Sequence, residues 1–389
     1  MITLALAGKP NCGKSTFFKA ATMANAEIAN YPFTTINPNF GVAYVRTTCP
    51  CKGLDLTCGH CVDGVRFVAV NLIDVAGLVP DAHKGKGLGN QFLDNLRQAD
   101  AILHVIDASG GTDSEGNPVG AGNHDPAEDV KFLEYEMTMW VYGILDKHWP
   151  RLSRQASVKT FSIQQAIAEV FTGLGITPEE IRDAELQLKL DLVHAQMEDL
   201  VPFCAEMVRI SKPMIVVGNK VDETPEALHE KLAQEKVAFV SAASELALRS
   251  AAAAKVIKYL PGDKQFSVAD GVTLSAPQKA GLVKIAEVMK KNNGTGVQDA
   301  INRAVFELLD RIVVYPVEDE NKLCNKQGDI LPDAFLMKRG STPHDLAFQV
   351  HTDIGKGFLY AIDARTKMRI KENHILKDGD IIKIVSAAK

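Results

Sequence analysis

The stretch Gly8-Lys9-Pro10-Asn11-Cys12-Gly13-Lys14-Ser15 decides the fold, because it fits the phosphate-binding loop G-x-x-x-x-G-K-[ST]. The apolar residues 2–7 before it predict a short buried strand, and residues 15–24 predict the helix that follows. Backbone N–H groups of such a loop, together with the helix N-terminus, can hold a phosphate. The pattern predicts an α/β nucleotide-binding domain whose contacts are Gly8, Pro10, Asn11, Cys12, Gly13, Lys14, Ser15 and Thr16.

A second segment, Asn219-Lys220-Val221-Asp222, predicts which base is bound. It follows the apolar residues 213–218, which have the composition of another buried strand. The Asp222 carboxylate can accept hydrogen bonds from guanine N1–H and from the exocyclic amine, a donor pair that adenine lacks. Ser241 and Ala242 are predicted to present backbone N–H groups to guanine O6. The two segments together predict a guanine nucleotide.

A magnesium site is predicted between these segments. Residues 68–74 form a strand pattern that ends in Asp74, and Asp74 and Ser15 are expected to hold Mg²⁺. The Gly77 N–H can approach a γ-phosphate because glycine has no side chain to obstruct it. Thr35, preferred over Thr34, is expected to contact Mg²⁺ only while the γ-phosphate is present, as in a switch loop. The predicted catalytic residues are Lys14, Thr35 and Gly77.

These motifs resemble the Obg-type GTPases, and within them the YchF-related branch in its archaeal form with a C-terminal TGS domain. The likeness covers nearly the whole chain and is carried by residues 8–15, 31–39, 74–80, 84–92 and 336–347. It implies a P-loop GTPase fold, with a mostly parallel sheet flanked by helices, and a role at the ribosome or its RNA in translation. The YchF type is known for a degenerate base motif and a preference for ATP. This chain keeps Asn219, Lys220 and Asp222, so we expect GTP to be preferred.

The predicted hydrolysis lacks one usual component. Leu78 stands where many small GTPases place a Gln that orients the attacking water, so intrinsic hydrolysis is expected to be slow. His83 is one candidate for that role, although a loop histidine is more often only solvated. K⁺ is another, because Asn11 matches the Asn that helps to place K⁺ beside the phosphates in related GTPases. Alternatively, Asn11 only braces the loop through hydrogen bonds to the backbone.

Two alternative functions remain open from the sequence. The first is a non-hydrolysing RNA or ribosome adaptor in which GTP is structural and Leu78 reflects lost hydrolysis. The second is a YchF-like ATPase that prefers ATP, which Asp222 disfavours.

Four of the seven cysteines, Cys49, Cys51, Cys58 and Cys61, fall between two strand patterns where a hairpin is expected. Two closely spaced pairs can close a tetrahedral, structural Zn²⁺ site, and His60 can replace one thiolate. Disulfides and unliganded thiols are the alternatives. Cys12 lies near a helix N-terminus and Lys14, which favours a thiolate open to oxidation, unless it is simply a small residue that fits the loop.

The remaining patterns predict how the chain is divided. Residues 1–108 and 208–260 are assigned to a GTPase domain, with a Cys-rich knuckle at 49–61 and a helical segment at 256–260. Residues 109–207 are predicted to form an inserted arm of two long amphipathic helices, because Asp125-Pro126 and Thr177-Pro178 are helix-start signals. Residues 261–310 are predicted to be a helical connector, and residues 311–389 a β-grasp, ubiquitin-like TGS domain.

One stripe of cations suggests RNA binding. Arg365, Lys367, Arg369 and Lys371 alternate with other residues, so on a strand they would share one face and could follow a phosphate backbone. The same alternation also arises on an ordinary solvated face. The formal net charge of −5 gives no global case for nucleic-acid binding. No signal peptide or membrane span is expected, so a cytoplasmic protein, with a monomer favoured, is predicted.

Overall fold

The computed structural model describes residues 1–23, 40–84, 96–156, 158 and 160–387. The predicted Thr35 contact lies outside the described residues, as do all of residues 31–39 and residues 85–92.

A six-stranded sheet forms the centre of the N-terminal part. Its strands are β1 (Thr3–Ala7), β2 (Phe40–Thr48), β3 (Val65–Asp74), β4 (Ala101–Asp107), β5 (Met214–Asn219) and β6 (Ala238–Phe239). Their spatial order is β2-β3-β1-β4-β5-β6. The β2 strand runs antiparallel to β3, and the other neighbours are parallel. β4 is buried at every position, as expected for a strand covered on both faces, and the predicted mostly parallel sheet is confirmed.

Ten helices are described in this part of the chain, and several of them flank the sheet. They are α1 (Lys14–Thr22), α2 (Pro126–Val130), α3 (Phe132–Ala156), α4 (Ile163–Val170), α5 (Pro178–Leu188), α6 (Leu200–Ser211), α7 (Glu226–Gln234), α8 (Ala242–Ala253), α9 (Ala276–Asn292) and α10 (Val297–Asn302). Both predicted helix starts are confirmed: Asp125 accepts a hydrogen bond from the Ala127 N–H, and Thr177 forms a capping box with Glu180. A π-helical turn, Arg303–Leu308, continues α10.

The segment between β4 and β5 is helical, but the prediction of two long helices is wrong. Lys189 has a φ of 51° and ends α5, so the second predicted helix is divided into α5 and α6. Leu186 and Met197, assigned to its apolar face, are 74% and 46% exposed. Side chains from α3 to α6 share an apolar cluster with Ala5 and Ile73 of the sheet. Much of the segment therefore covers one face of the sheet rather than projecting from it.

The opposite face of the sheet packs against α1 and α10. Phe17 of α1 and Ile301 of α10 are fully buried in one cluster with residues of β1 and β3. The predicted helical segment 256–260 is wrong, because Lys255 has a φ of 57° and the chain continues as a strand. That strand, β7 (Ile257–Lys258), pairs with β8 (Ser267–Val268).

The C-terminal part is a second, five-stranded sheet with a helix packed against it. Its elements are β9 (Arg311–Val317), β10 (Phe335–Lys338), α11 (Pro343–Val350), α12 (Thr352–Lys356), β11 (Phe358–Asp363), β12 (Met368–Ile370) and β13 (Ile381–Ser386). The strand order is β10-β9-β13-β11-β12, with β9 and β13 parallel. Thr342 and Asp345 form a capping box that begins α11. The arrangement matches the predicted β-grasp domain.

The prediction that the four cations Arg365, Lys367, Arg369 and Lys371 lie on one strand is wrong. Arg365 and Lys367 lie in the turn between β11 and β12, and Lys367 has a φ of 62°. Arg369 is on β12 and Lys371 follows it, so the four cations do not share one strand face. The Arg369 guanidinium instead lies 3.9 Å from the centre of the Tyr360 ring. RNA binding by these residues stays a prediction without that geometric support.

None of the helices in the described residues combines the length and apolar character that a membrane span requires.

Candidate functional site

The phosphate loop connects β1 to α1 at the carboxyl edge of the parallel strands. Two of its glycines are sterically required: a Cβ on Gly8 would lie 2.1 Å from the Val105 carbonyl oxygen, and one on Gly13 would lie 2.1 Å from Asn219 Nδ2. Both also have positive φ, 146° at Gly8 and 95° at Gly13. The loop is therefore held against β4 and β5 at two points that only glycine permits.

Lys14, at the start of α1, points back over this loop. Its Nζ donates to the carbonyl oxygens of Gly8 at 3.0 Å and of Lys9 at 2.7 Å. The buried ammonium is thus held at the loop by two carbonyl oxygens, and phosphate oxygens, which carry negative charge, are stronger acceptors for the same group.

Ser15 and Asp74 lie together, as a magnesium site requires. The Ser15 hydroxyl donates to Asp74 Oδ2 at 2.8 Å. The other carboxylate oxygen, Oδ1, is buried and has no hydrogen-bond partner among the described residues. Burial raises the pKa of Asp74, although the Ser15 hydroxyl and the Lys14 charge offset part of this. An unpartnered buried carboxylate oxygen beside a hydroxyl fits a hard divalent cation.

Gly77 lies close to the phosphate loop. A Cβ at this position would be 2.9 Å from the Pro10 side chain, so only glycine allows the approach. The next residue, Leu78, is buried and its N–H donates to the Gly8 carbonyl oxygen at 3.1 Å. Leu78 therefore fixes the backbone here and offers no polar side chain to a water molecule.

Asn219 joins the predicted base-binding segment to the phosphate loop. Its Nδ2 donates to the Cys12 carbonyl oxygen at 3.0 Å, and its Oδ1 accepts from the Ala242 N–H at 3.1 Å. The Ser241 N–H donates to Thr295 O at 2.8 Å. The expectation that Ser241 and Ala242 offer free N–H groups to guanine O6 is therefore contradicted, because both groups are engaged within the protein.

A cavity of about 730 Å³ opens beside this junction. Asp222 lines it on one side, Ala243 and Ser244 of α8 on another, and Lys284 of α9 on a third. Sequence reasoning missed Lys284, because α9 was assigned to a connector and nothing in its pattern pointed toward the base-binding segment.

Lys220 and Asp107 form an ion pair behind the loop. Lys220, with a φ of 65°, places its Nζ 2.8 Å from Asp107 Oδ2. Asp107 is fully buried and also accepts hydrogen bonds from the hydroxyls of Ser109 and Thr112. Its position at the end of an apolar strand is a signal from which the sequence analysis drew no role.

The loop after β4 contacts the phosphate loop from outside. Asn11 Nδ2 donates to the Gly116 carbonyl oxygen at 3.0 Å, which is the bracing contact that the sequence left as an alternative. Lys9 is buried and donates to Thr112 O at 2.8 Å and to Asp129 Oδ2 at 2.7 Å. The sequence analysis assigned no role to Lys9 or Asp129, and these contacts connect the start of the insertion to the site.

His83 is neither solvated nor directed at a free water position. Its Nδ1 lies 2.7 Å from Glu136 Oε2 of α3, and only 9% of its side chain is exposed. The N–H groups of Asp81 and His83 also donate to the Glu136 carboxylate. In this arrangement His83 anchors the chain to α3, and it is a poor candidate for orienting water.

Cys12 is fully buried, and burial raises the pKa of its thiol despite the nearby Lys14 charge. Its Sγ donates to the Lys9 carbonyl oxygen at 3.1 Å. The interpretation of Cys12 as a thiolate is therefore wrong, and a small residue that fits the loop is the better description.

The four clustered cysteines meet at the hairpin between β2 and β3, as predicted. Their Sγ atoms all lie within 4.8 Å of one another, with separations of 3.7 Å for Cys49–Cys58 and 3.5 Å for both Cys51–Cys61 and Cys58–Cys61. Disulfides are excluded in this arrangement, because an S–S bond is about 2.05 Å long. His60 contributes its backbone N–H, which donates to Cys58 Sγ at 3.4 Å. The cluster can hold a metal ion.

The thiols of this cluster differ in acidity. Burial raises the pKa of Cys49 and raises that of Cys61 to about 11. Burial acts on Cys58 in the same direction, but hydrogen bonds from the His60 N–H and the other thiols outweigh it and hold the pKa of Cys58 below its ordinary value.

Comparison with known families identifies three matching regions. A model described as a 50S ribosome-binding GTPase matches residues 3–135, and one described as an Obg-like GTPase, YGR210-like, G4 motif-containing domain matches residues 217–319. A TGS domain model matches residues 326–386. The matches cover the phosphate loop, the base-binding segment and the C-terminal sheet.

Individual proteins are similar along the whole chain. An uncharacterized GTP-binding protein, MJ1332, of Methanocaldococcus jannaschii is 49% identical over 100% of both chains. The ribosome-binding ATPase YchF of Bacillus subtilis is 27% identical, covering 98% of each chain. A crystal structure of a GTP-binding protein from Pyrococcus horikoshii OT3 superimposes with a TM-score of 0.80 at 40% identity, covering 99% of this chain and 100% of that one.

Proposed function

Because the chain belongs to the Obg-type GTPases, in the YchF-related branch with a C-terminal TGS domain, we propose that it is a GTP-hydrolysing molecular switch that acts on the ribosome or on RNA in translation. One observation carries the preference for GTP. Asn219 ties the base-binding segment to the phosphate loop, and Asp222 stands beside it in a cavity of about 730 Å³. A carboxylate so placed selects the donor pair of guanine.

The proposed roles follow from the contacts of each residue. Lys14 exchanges the Gly8 and Lys9 carbonyls for the β- and γ-phosphates, and the Gly77 N–H donates to the γ-phosphate. Ser15 and Asp74 hold Mg²⁺, which neutralises charge on the transferring phosphoryl group. Thr35 is proposed to contact Mg²⁺ only while the γ-phosphate is bound, so that its loop has different conformations with GTP and GDP that a partner can distinguish. A structural Zn²⁺ at the four cysteines completes the proposed metals.

We propose K⁺ as the cation that substitutes for the missing water-positioning side chain. Leu78 cannot hydrogen-bond, and His83 is engaged by Glu136. The Asn11 amide nitrogen is directed at Gly116, and its amide oxygen is the atom that a cation would take. A cation beside the phosphates stabilises charge that develops during transfer.

The ribosome is the proposed partner because one matching family is described as ribosome-binding and the relative from Bacillus subtilis carries that name. RNA contacts through Arg365, Lys367, Arg369 and Lys371 are part of this proposal. The support for these RNA contacts is the positive charge of the four side chains in and after the turn between β11 and β12, since they do not share a strand face.

Base selection is tested by measuring the Kd values for GTP and ATP. We expect GTP to bind at least about 100-fold more tightly, because adenine leaves the Asp222 carboxylate unpaired. Asp222→Asn should weaken GTP about 100-fold and improve binding of xanthosine triphosphate, whose carbonyl matches the new amide donor. Glu230→Gln, a change to an exposed carboxylate of α7 that does not line the cavity, is the control and should alter neither. Comparable affinities of the unaltered protein for GTP and ATP would favour the ATPase alternative.

Hydrolysis is tested by multiple-turnover assays in K⁺ and in Na⁺, with and without ribosomes. We expect turnover about tenfold faster in K⁺, and an Asn11→Ser variant should lose that difference. Equal rates in both salts would refute the role of K⁺. No turnover under any of these conditions would favour the adaptor alternative, in which GTP is structural.

The partner is tested by co-sedimentation with ribosomes in the presence of a non-hydrolysable GTP analogue, GDP or no nucleotide, at two salt concentrations. Pelleting with the GTP analogue alone would support a ribosome-directed switch. Equal or absent pelleting in all three states would remove the ribosome from the proposal without affecting GTP binding.

A further inference from the structure

The four-cysteine cluster lies at the junction between the two sheets. Cys49, Cys51 and Cys58 belong to the same buried cluster as Tyr315 of β9 and Leu331 of the loop that precedes β10. The hairpin between β2 and β3 thus forms part of the surface on which the C-terminal domain rests.

The spacing of the sulfur atoms matches a tetrahedral metal site. With Zn–S bonds of about 2.3 Å, the edge of a regular tetrahedron of thiolates is about 3.8 Å long. Three of the six sulfur–sulfur separations, at 3.5 to 3.7 Å, are close to this value, and all six are within 4.8 Å. The His60 N–H, which donates to Cys58 Sγ, would stabilise a thiolate ligand.

A buried cation beside the cluster supplies an independent observation. Arg66, at the start of β3, is only 5% exposed, and within the described part of the chain it forms no ion pair with a carboxylate. Its guanidinium donates to the carbonyl oxygens of Leu331 at 3.1 Å and Pro332 at 2.7 Å, and lies 6.0 Å from the centre of the Tyr315 ring. Burying an unpaired charge is costly. A zinc ion with four thiolates would bring a net charge of −2 to the same junction, because Tyr315, which Arg66 contacts, packs in one cluster with Cys49, Cys51 and Cys58.

Tyr315 is a second polar residue at this junction. It is 1% exposed, it packs in the same cluster as Cys49, Cys51 and Cys58, and its hydroxyl has no hydrogen-bond partner, sulfur included, among the residues that the structure describes. A buried hydroxyl usually has an acceptor, so this junction is short of acceptors for its polar groups.

Between its buried cysteines the hairpin has little regular secondary structure. Residues Pro50–Leu54 form a single short helical turn, and Leu54 and Leu56 are only partly buried. We propose that Cys49, Cys51, Cys58 and Cys61 bind one Zn²⁺ and that this metal holds the GTPase domain and the C-terminal domain together. The inference does not depend on the proposed GTPase function.

The metal is tested first on freshly purified full-length protein. We expect about one equivalent of zinc, and replacement by Co²⁺ should give the absorption spectrum of a tetrahedral thiolate site. Less than half an equivalent of zinc, a different metal in stoichiometric amount, or a mass that shows disulfides would overturn the assignment.

The role as a joint is tested by hydrogen exchange before and after zinc is removed with a chelator under reducing conditions. We expect exchange to become about tenfold faster both in residues 49–61 and in residues 319–332, while α7 at the far edge of the sheet stays unchanged. Restoring zinc should reverse the effect. Faster exchange confined to residues 49–61 would overturn the joint while leaving the metal site intact.

Variants provide a matched comparison. A Cys58→Ser/Cys61→Ser protein should lose zinc and show the same faster exchange in residues 319–332. Cys324→Ser alters a buried cysteine of the C-terminal domain outside the cluster and should keep its zinc. If the double variant does not fold, the chelation experiment on the unaltered protein decides the question.

Discussion

The two ends of β3 differ in how their polar groups are satisfied. At the carboxyl end, Asp74 and Lys14 are held by replaceable partners, and one Asp74 oxygen has none among the described residues. At the amino end, four thiols converge on one point, and Arg66 already reaches the next domain. The first end is open to a ligand that comes and goes, whereas the second is closed by ligands that all come from the protein. The same strand thus carries a site for an exchangeable ligand at its carboxyl end and a site suited to a permanently bound metal at its amino end.

The largest expected effect is on GTP hydrolysis, from a substitution at the carboxyl end of β3 that should leave the amino end unchanged. Lys14→Ala removes the cation that meets the β- and γ-phosphates, so hydrolysis of GTP should fall at least about 100-fold. Zinc content should not change. Lys19→Ala, an exposed lysine of the same helix, is the control and should hydrolyse GTP normally. Near-normal turnover by Lys14→Ala would show that this end is not the catalytic site.

Asn219→Ala is expected to lower both the stability of the protein and its affinity for GTP. It leaves the Cys12 carbonyl and the Ala242 N–H unpaired in a buried position, so unfolding free energy should fall by about 2–4 kcal/mol, and GTP affinity should fall as well. Asp222→Ala should lower affinity without lowering stability. Denaturant titration and Kd measurements on both variants test this, and equal stability of the two would contradict the bridging role.

Arg66→Lys tests the closed end. Lysine keeps the charge but loses the fork that reaches both Leu331 and Pro332, so unfolding free energy should fall by about 2 kcal/mol. The control is Arg303→Lys, a partly exposed arginine whose contact with Glu307 is 3.5 Å long. GTP affinity should stay within about twofold in both variants. A large loss of GTP affinity in Arg66→Lys would break the separation of the two ends.

The smallest expected effect concerns the pH dependence of stability and comes from His104 of β4. Burial, with a smaller contribution from the Lys14 charge, lowers its pKa to about 3. Below the unfolded value of about 6.5 the unfolded chain binds a proton that the folded protein does not, so His104 lowers stability by about 1.4 kcal/mol per pH unit as the pH falls. In His104→Leu that part of the slope should disappear between pH 6.5 and 5, as measured by urea unfolding. An unchanged slope would contradict a neutral, buried imidazole.

The site at the carboxyl end of β3 was predictable because each of its motifs is recognisable from a short stretch of sequence. The phosphate loop, Asp74 and the segment 219–222 each follow an apolar strand, and parallel strands bring their carboxyl ends to one edge. What could not be predicted are contacts made across the fold. Neither the position of Lys284 on α9 nor the choice of Gly116 as the partner of Asn11 has a signature, because both depend on where distant segments pack.

The errors in the predicted secondary structure have one physical origin. Alternating or periodic patterns were extended through residues that adopt positive φ, at Lys189, Lys255 and Lys367. A lysine gives no local warning of a left-handed conformation, unlike glycine or asparagine. The helix of the insertion, the helical segment 256–260 and the cationic strand were each interrupted at such a position.

The position of the insertion between β4 and β5 has a consequence for how the chain folds. Ile102 of β4 pairs with Met214 of β5, so the central sheet cannot close until the whole helical insertion has been synthesised. Until then, β4 presents an unpaired edge composed almost entirely of apolar residues, which is prone to aggregation. The apolar cluster that joins α3 to α6 also contains Ala5 of β1 and Ile73 of β3, so the insertion completes its core only on the sheet. Packing of these helices against β1 and β3 would therefore also bring the two ends of the insertion, and with them β4 and β5, together.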